Sequence, residues 1–341
     1  MIRSLRPVAL AAAATLAIAA CSPAGSDEPA GSGDPTTPAA GEQTDAAAGG
    51  AETWPRTVTV GDREVEVVAA PERIVALSTE TGDLALELVG HERVAAVASG
   101  SVTEGAGNAI EEATQVETIL PPGTTPDPEQ ILSLEPDLVL MTSRHDGEEA
   151  AADVLAESGI PTLVFASEAF SSPDAVAASV RLLGEALGAE EVAEERAAAL
   201  ESQVAEIEAA VEGSAASPRV LALMSRGDSV MITGIGSTLT TLAELAGGSP
   251  VAVEEGWQGT VPADPELVVA TAPDVILVEE FRGSGLEPFE GLLSSEALAQ
   301  VPAIANDQVH VIPSAIASGS AGLRLGDGLA MIAEVLHPDA F

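Results

Sequence analysis

Four stretches of this sequence carry side chains that can bind a charged or hydroxylated ligand, and each follows a predicted buried strand. They are residues 78–81, 142–145, 225–226 and 279–282. Open α/β folds bind ligands beyond the carboxyl ends of their strands, so we expect these stretches to meet at one cleft. We assign ligand binding to seven residues: Ser78, Thr79, Arg144, His145, Arg226, Trp257 and Arg282.

Arginine and histidine determine the chemistry of this cleft. A guanidinium pairs bidentately with carboxylates, so Arg144, Arg226 and Arg282 predict an anionic ligand, the alternative being ordinary solvated loop arginines. His145 is the one histidine at a predicted strand end. Because imidazole binds iron in many haem proteins, His145 is the candidate iron ligand, or else a simply exposed residue. Trp257 would either stack on a flat ligand or fill the core of its lobe.

The composition excludes several classes of protein. The 341 residues include no Lys, no Tyr and a single Cys. Without lysine there is no P-loop nucleotidase and no Schiff-base enzyme, and one cysteine cannot form an intramolecular disulfide. With 13 arginines against 54 acidic residues and a net charge of −41, a nucleic-acid partner is excluded. No nucleophile–base motif is present, so we predict a binding protein with no permanent cofactor.

The N-terminal region has the features of an exported lipoprotein. Arg3 and Arg6 precede a short apolar run that ends at Cys21. The run is too short to span a bilayer, and it resembles a bacterial lipobox rather than an ordinary signal peptide. This predicts a signal peptide over residues 1–20, acylation of Cys21, and anchoring at the outer face of the cytoplasmic membrane. Residues 21–55 are rich in Ala, Gly, Pro and acids, which predicts a disordered tether.

The body of the chain contains an internal repeat. Residues 127–140 recur as residues 264–277, and each copy has Asp-Pro-Glu, then Pro-Asp, then an apolar run. The first part predicts a helix and the last part a buried strand. Apolar strands at residues 73–77 and 219–223 repeat at a similar offset. An offset of about 140 residues indicates two homologous lobes rather than a helical array.

Each lobe alternates predicted strands and helices. That pattern predicts an α/β fold in which a mainly parallel sheet is flanked by helices. A hairpin is predicted at residues 57–67 from the alternation of apolar and polar residues. The expected divisions are an N-terminal lobe over residues 56–172, a helical linker over 173–213 and a C-terminal lobe over 214–341.

The linker is predicted to be one long helix. Gly184 and Gly188 are expected to interrupt the helical pattern, and an apolar stripe follows them. The stripe consists of Leu200, Val204, Ile207 and Val211. A helix of about 20 residues is roughly 30 Å long, which predicts a strut that permits only small rocking of the lobes.

Together these features resemble the ABC-importer periplasmic binding proteins for iron chelates and cobalamin. Residues 73–78, the two Pro-Asp repeats, and residues 224–227 with 234–238 carry most of the resemblance. The last two stretches, followed by Leu245-Ala246-Gly247-Gly248, look most like the hemin-binding lipoprotein branch. The resemblance implies a class III substrate-binding protein, with two lobes joined by a single long helix. The sequence departs from the hemin-binding branch at Gly256-Trp257, where the family usually has Gly-Tyr.

The resemblance also implies function and partners. The transported ligand would be hemin or another ferric chelate, the partners an ABC permease dimer with its ATPase, and the chain a monomer. A ferric-siderophore or corrinoid receptor of the same fold is the alternative, and a tethered surface hydrolase is a more remote one. In the family, glutamates at the positions of Glu129 and Glu266 dock on permease arginines. The alternative for both is stabilisation of a helix dipole.

Overall fold

The computed structural model of the chain describes residues 54–121, 126–143, 146–214, 217–227, 229–281 and 283–341. Cys21, Arg144, His145 and Arg282 lie outside these residues, as do the predicted signal peptide and most of the predicted tether. Every helix in the described ranges is too short or too polar to traverse a bilayer.

A two-stranded antiparallel hairpin begins the described chain. Strand β1 spans Arg56–Val60 and strand β2 spans Arg63–Val67. Gly61, in the turn between them, has a φ of 59°, a value that glycine adopts without strain. Val58 and Val67 are buried, whereas most residues between them along the strands face solvent. The hairpin predicted from the sequence is confirmed.

The N-terminal lobe is built on a five-stranded sheet. Its elements are β3 (Ile74–Ala76), α1 (Thr79–Val89), β4 (Val94–Ala98), α2 (Ile110–Ala113), β5 (Thr118–Leu120), α3 (Pro128–Leu132), β6 (Leu138–Ser143), α4 (Asp146–Glu157) and β7 (Thr162–Ala166). All strand pairs are parallel, in the order β5-β4-β3-β6-β7. The strand order reverses between β3 and β6, and the carboxyl ends of strands at such a reversal form a ligand-binding crevice.

Two packed helices follow the N-terminal sheet. Helix α5 spans Pro173–Leu187 and α6 spans Glu190–Val211. Gly188 ends α5 in a left-handed conformation. Gly184 does not interrupt the helix as expected, because it lies inside α5. A Cβ added there would come within 2.3 Å of the Ala193 Cβ on α6, so this glycine permits the close packing of the two helices.

One face of α6 is buried in the core along the whole length of the helix. It consists of Ala193, Ala197, Leu200, Val204, Ile207 and Val211. The predicted apolar stripe of the linker helix is therefore confirmed.

The C-terminal lobe contains a six-stranded mixed sheet. Its elements are β8 (Arg219–Arg226), β9 (Ser229–Ile232), α7 (Thr238–Leu245), β10 (Ser249–Pro250), α8 (Val251–Glu254), β11 (Val261–Pro262), α9 (Pro265–Thr271), β12 (Val275–Glu280), α10 (Glu290–Leu293), α11 (Pro302–Ala305), β13 (Val309–Pro313), α12 (Ser314–Ala317) and α13 (Leu325–Leu336). The strand order is β11-β9-β8-β12-β13, and β10 also pairs with β8. Strand β9 is antiparallel to both of its neighbours, whereas β10, β8, β12 and β13 are parallel.

The repeated Pro-Asp motif has the same structural role in each lobe. The Asp137 carboxylate accepts hydrogen bonds from the N–H groups of Glu72 (2.7 Å) and Arg73 (2.9 Å), just before β3. The Asp274 carboxylate accepts one from the Arg219 N–H at the start of β8 (3.0 Å). Each aspartate directly precedes β6 or β12. The motif therefore joins the two central strands of each sheet at their amino ends.

The arginines at these strand starts also hold the helix that leads into the neighbouring central strand, α3 before β6 and α9 before β12. The Arg73 guanidinium donates to the Leu134 carbonyl (2.7 Å), just beyond α3. The Arg219 guanidinium donates to the Thr271 carbonyl at the end of α9 and pairs with Glu254 (2.6 Å). A cation at a helix C-terminus satisfies its unpaired carbonyls and complements its dipole. The two lobes are therefore fastened in the same way, as expected of a structural repeat.

One hydrophobic cluster continues from the N-terminal lobe through α5 and α6 into the C-terminal lobe. It includes Leu84 of α1, Leu183 of α5, Ile207 of α6 and Leu329 of α13. A second cluster, around Phe289, belongs to the C-terminal lobe. Wide separation of the lobes would expose the shared cluster to water, which is unfavourable. We therefore expect only small relative motion of the lobes.

The shared cluster predicts that both lobes lose stability together. Leu183 is fully buried in it, and Leu183→Ala should lower the free energy of unfolding by about 2–5 kcal/mol. Trp54 packs against the shared cluster and Trp257 against the C-terminal one. The Trp54→Phe protein retains only Trp257, and the Trp257→Phe protein retains only Trp54, so urea unfolding followed by fluorescence monitors one cluster in each. We expect Leu183→Ala to lower the urea midpoint by the same amount in both proteins.

Val192, on the exposed side of α6, provides the control. Its side chain is 37% exposed, and Val192→Ala should change the free energy of unfolding by less than about 0.5 kcal/mol. A Leu183→Ala shift seen by only one of the two tryptophans would contradict the shared core.

Candidate functional site

A cavity of about 490 Å³ lies between the two lobes, beside the carboxyl ends of their strands. Its N-terminal side is formed by Glu80, Ser167, Glu168 and Ser171. Its C-terminal side is formed by Met224, Arg226, Thr233, Gly236, Ser237, Thr238, Leu239, Glu279, Phe281 and residues 317–320. Strands β8 and β12 flank the point where the C-terminal strand order reverses, as β3 and β6 do in the other lobe. The cavity therefore lies where two ligand-binding crevices face each other.

The start of α1 forms part of the N-terminal wall. Ser78 is the N-cap residue, and its hydroxyl accepts a hydrogen bond from the Thr81 N–H at 3.4 Å. Neither Ser78 nor Thr79 lines the cavity, but the next residue, Glu80, does. Ligand binding by Ser78 and Thr79 stays a prediction.

Three acidic residues occupy one face of α1. Glu80, Asp83 and Glu87 are three and four residues apart, the spacing of neighbours on a helix. Burial raises the pKa of Asp83 to about 7, although the hydrogen bond from the Asn108 N–H (2.7 Å) acts in the opposite direction. Burial also raises the pKa of Glu87. Carboxyl groups therefore continue from the cavity into the interface between the lobes.

Strand β8 brings Met224 and Arg226 to the C-terminal wall. The two residues are two positions apart, so their side chains leave the same face of the strand, and both line the cavity. The Arg226 side chain is exposed, and no described residue forms an ion pair with its guanidinium. Arg56 and Arg219, in contrast, pair with glutamates. Arg226 is thus available to a carboxylate of a ligand.

The two aromatic residues near this wall have different positions. The partly buried Trp257 packs against the C-terminal cluster, and its carbonyl accepts a hydrogen bond from the Ile235 N–H at 2.8 Å. Trp257 is not among the described lining residues, whereas Phe281 lines the cavity and is 46% exposed. The packing of Trp257 supports the alternative that it fills the core of its lobe. Its contact with a ligand stays a prediction.

Carboxyl groups outnumber cations among the described lining residues. Glu80, Glu168 and Glu279 line the cavity, together with Arg226. Burial raises the pKa of Glu279 to about 7, so this group is partly protonated near neutral pH. The predicted binding of an anionic ligand also depends on Arg144 and Arg282, which lie outside the described residues.

The described histidines lie away from the cavity. His91 Nδ1 is 2.5 Å from a carboxylate oxygen of Glu112. His310 lies on β13, where burial lowers its pKa, and His337 follows the last turn of α13. Within the described part of the chain, no group of three or more His, Cys, Asp and Glu residues is placed to hold a metal ion. Iron ligation by His145 stays a prediction.

Sequence reasoning missed several lining residues. Glu80 and Glu279 belong to two of the strand-end stretches, and the strand-end rule would have found them had acids been counted beside arginines. Residues 318–320 lie around the start of a 3₁₀ helix, Gly319–Arg324. Such short segments have no hydrophobic periodicity, so no sequence signal marks them.

Glu129 and Glu266 occupy equivalent exposed positions. Each lies in the first turn of its helix, α3 or α9. The Asp127 carboxylate accepts a hydrogen bond from the Glu129 N–H at 3.0 Å, whereas Asp264 is the N-cap residue of α9 and makes no side-chain capping hydrogen bond. A helix that leads into a parallel strand runs opposite to it, so both helices begin at the edge that carries the cavity. Docking by these glutamates stays a prediction.

Known proteins share this architecture. Residues 74–316 match the family model described as periplasmic binding protein. The uncharacterized ABC transporter substrate-binding lipoprotein YvrC of Bacillus subtilis (strain 168) is 23% identical over 299 residues, which are 85% of this chain and 88% of YvrC.

Two solved structures extend the comparison. The periplasmic heme-binding protein RhuT from Roseiflexus sp. RS-1, in apo form, has a TM-score of 0.67 and 26% identity, covering 79% of this chain and 99% of RhuT. An ABC-type Fe3+-hydroxamate transport system protein from Saccharomonospora viridis DSM 43017 has a TM-score of 0.66 and 22% identity, covering 83% of this chain and 99% of its own. The predicted fold class, two α/β lobes of the class III type, is confirmed. Since the matched region is more than half of the chain and spans most of both lobes, the chain belongs to the periplasmic binding protein family and is a binding protein rather than an enzyme.

Proposed function

We propose that this chain is the lipid-anchored receptor of an ABC importer, which captures an iron chelate between its lobes and delivers it to the permease. The observation that carries the proposal is the cavity at the facing strand ends of the two lobes. The similarity to YvrC, which is described as an ABC transporter substrate-binding lipoprotein, supports the importer role.

The proposed anchor is the acylated Cys21. Two acyl chains hold a protein stably on a membrane, which a single chain does not. The net charge of −41 means that anionic lipids repel the body of the protein, so attachment requires a covalent anchor. The receptor would then stand at the outer face of the cytoplasmic membrane.

Hemin is the first candidate cargo. RhuT, the 26% identical relative, is described as heme-binding. Met224 and Phe281 offer apolar surface to a flat macrocycle, and the Arg226 guanidinium offers a partner for a propionate. Tyrosine and histidine can both bind haem iron. Since the chain has no Tyr, we assign the iron ligand to His145.

A ferric hydroxamate siderophore is the second candidate. The Saccharomonospora viridis protein, described as part of a Fe3+-hydroxamate transport system, has a similar fold. The carboxyl groups of Glu168 and Glu279 favour a cargo that is neutral or positively charged over a dianion. This alternative needs neither His145 nor a positively charged cleft.

Hemin binding should depend on Arg226. We expect the purified protein to develop a Soret band when titrated with hemin, and Arg226→Ala to weaken binding by about tenfold, because a charged hydrogen bond to a propionate is lost. The double variant Arg226→Ala/Arg282→Ala should weaken hemin binding further. Absorbance titration measures each dissociation constant.

Arg196 provides the matched control for this experiment. It is an exposed arginine on α6, outside the described cavity lining, so Arg196→Ala should bind hemin as the wild type does. Unchanged affinity in the Arg226 variants would place that arginine outside the site. Binding of a ferric trihydroxamate but not hemin would select the second candidate.

Glu279 predicts how hemin binding depends on pH. Its carboxyl group is neutral below its raised pKa of about 7 and negative above it. Ionisation places a negative charge beside the hemin propionates, so the affinity of the wild type relative to Glu279→Gln should fall as the pH rises from about 6 to about 8. Glu290→Gln, on α10 outside the described lining, should keep the pH profile of the wild type. Identical profiles for wild type and Glu279→Gln would contradict the assignment.

Glu129 and Glu266 are proposed to dock the receptor on its permease. Each lobe presents one glutamate at the same position of the repeat, on the surface that surrounds the cavity. A permease dimer with two-fold symmetry presents the same charge twice, and the two lobes provide matching partners. Exposed charges of this kind act on encounter rate and orientation more than on affinity.

Reversal of both charges should separate docking from ligand binding. Glu129→Arg with Glu266→Arg should leave cargo affinity unchanged but abolish uptake and stimulation of the ATPase. Both can be measured with the permease reconstituted in lipid vesicles. Glu191→Arg with Glu195→Arg makes the same change of charge at exposed positions at the start of α6 and should transport normally. Transport at the wild-type rate by the Glu129/Glu266 variant would leave both residues as stabilisers of their helices.

A further inference from the structure

A single asparagine joins the N-terminal lobe to a turn of the C-terminal lobe. The Asn108 side-chain amide donates hydrogen bonds to the carbonyls of Ser320 (2.8 Å) and Ala321 (3.0 Å). The Arg324 guanidinium donates in return to Asn108 Oδ1 at 3.3 Å. Asn108 therefore uses both its donor and its acceptor atoms across the interface between the lobes.

The N-terminal lobe holds Asn108 in a fixed position. Its N–H donates to the buried Asp83 carboxylate at 2.7 Å. Gly107, directly before it, is buried, and a Cβ added there would lie 2.3 Å from the Ser101 carbonyl oxygen. No larger residue fits without moving the backbone. The loop thus presents the asparagine amide in one defined orientation.

The turn that Asn108 binds is also part of the cavity wall. Ser318, Gly319 and Ser320 line the cavity. The hydroxyl groups of Ser318 and Ser320 are 2.9 Å apart and hydrogen-bonded. Gly322, two residues further on, has a φ of 53° and lies against Leu84 of α1. The same turn therefore contacts the N-terminal lobe through its backbone and faces the cavity with its serine side chains.

We propose that Asn108 is a positioning residue for cargo retention: its amide fixes the cavity-lining turn at residues 318–320 to the N-terminal lobe and thereby slows release of the ligand. The part that concerns cargo rests on the proposed function, whereas the fixing of the turn does not. Because the cavity is lined from both lobes, a turn released from Asn108 lets one wall move while the sheets stay in place. The Asn108 side chain does not itself need to contact the ligand.

Amide hydrogen exchange of the ligand-free protein tests the fixing of the turn. Asn108→Ala should accelerate exchange of residues 314–324 by about tenfold through loss of its hydrogen bonds, with no change in the hairpin at residues 56–67. Asn108→Asp keeps the shape but removes the amide donors, so it should accelerate exchange as well. Asn306→Ala, at an exposed position after α11, should have no effect.

A residue that only fills space would give a different result. Asn108→Asp would then behave as the wild type, or exchange would rise throughout the protein in Asn108→Ala as global stability fell. Either outcome overturns the proposal. Asn108→Ser, which keeps a shorter donor, should give intermediate exchange and serves where the alanine variant folds poorly.

Transfer of hemin to excess apomyoglobin tests retention. The Asn108 variants should rank in the same order for their rate of hemin loss as for their rate of amide exchange in the turn. Faster exchange with an unchanged rate of loss would overturn the link to cargo. A wild-type protein that binds no hemin would contradict the proposed cargo instead, and the exchange experiment would still decide whether Asn108 fixes the turn.

Discussion

The constraint on which the rest of the structure depends is the aspartate that joins the central strands of each lobe. Asp137 and Asp274 accept N–H hydrogen bonds at the start of the neighbouring central strand, β3 or β8. These bonds set β3 beside β6 and β8 beside β12, the pairs between which the strand order reverses. Since a ligand crevice forms at such a reversal, the same short motif determines where both halves of the cavity lie.

The connection between the lobes decides how the two crevices face each other. Two helices in close contact, with Gly184 against Ala193, continue the core of one lobe into the other. A continuous close-packed core resists gradual deformation. Release of a ligand is therefore better explained by motion of short wall segments, such as residues 318–320, than by wide opening of the whole molecule.

Much of the fold could be predicted from the sequence because it depends on local periodicity. The hairpin, the repeated helix–strand units and the stripe of α6 each have a clear alternation or helical spacing. The interpretation of Gly184 as a helix interruption is wrong, because its role depends on Ala193 of a neighbouring helix. For the same reason the contact of Asn108 with Ser320 was not foreseen: the two residues are 212 positions apart and lie in irregular segments.

The cavity was easier to locate than to describe. The strand-end rule led to Arg226, and also contained Glu80 and Glu279, whose burial could be known only from the packing of both lobes. Trp257 shows the opposite case. Its aromatic ring made it a candidate for ligand binding, but it packs against the hydrophobic cluster of its own lobe.

The scarcity of cations makes each arginine informative about the cargo. Of the described arginines, Arg73 and Arg219 hold helix ends, and Arg56 and Arg181 pair with glutamates. Arg226 differs because it lines the cavity without a partner among the described residues. In a molecule with 54 acidic residues, the long-range field repels an anion approaching the cavity and attracts a cation. Salt screens that field but affects short contacts inside the cavity less. An anionic cargo must therefore be held by local groups such as Arg226, against the field of the protein, whereas a neutral or cationic chelate needs no such compensation.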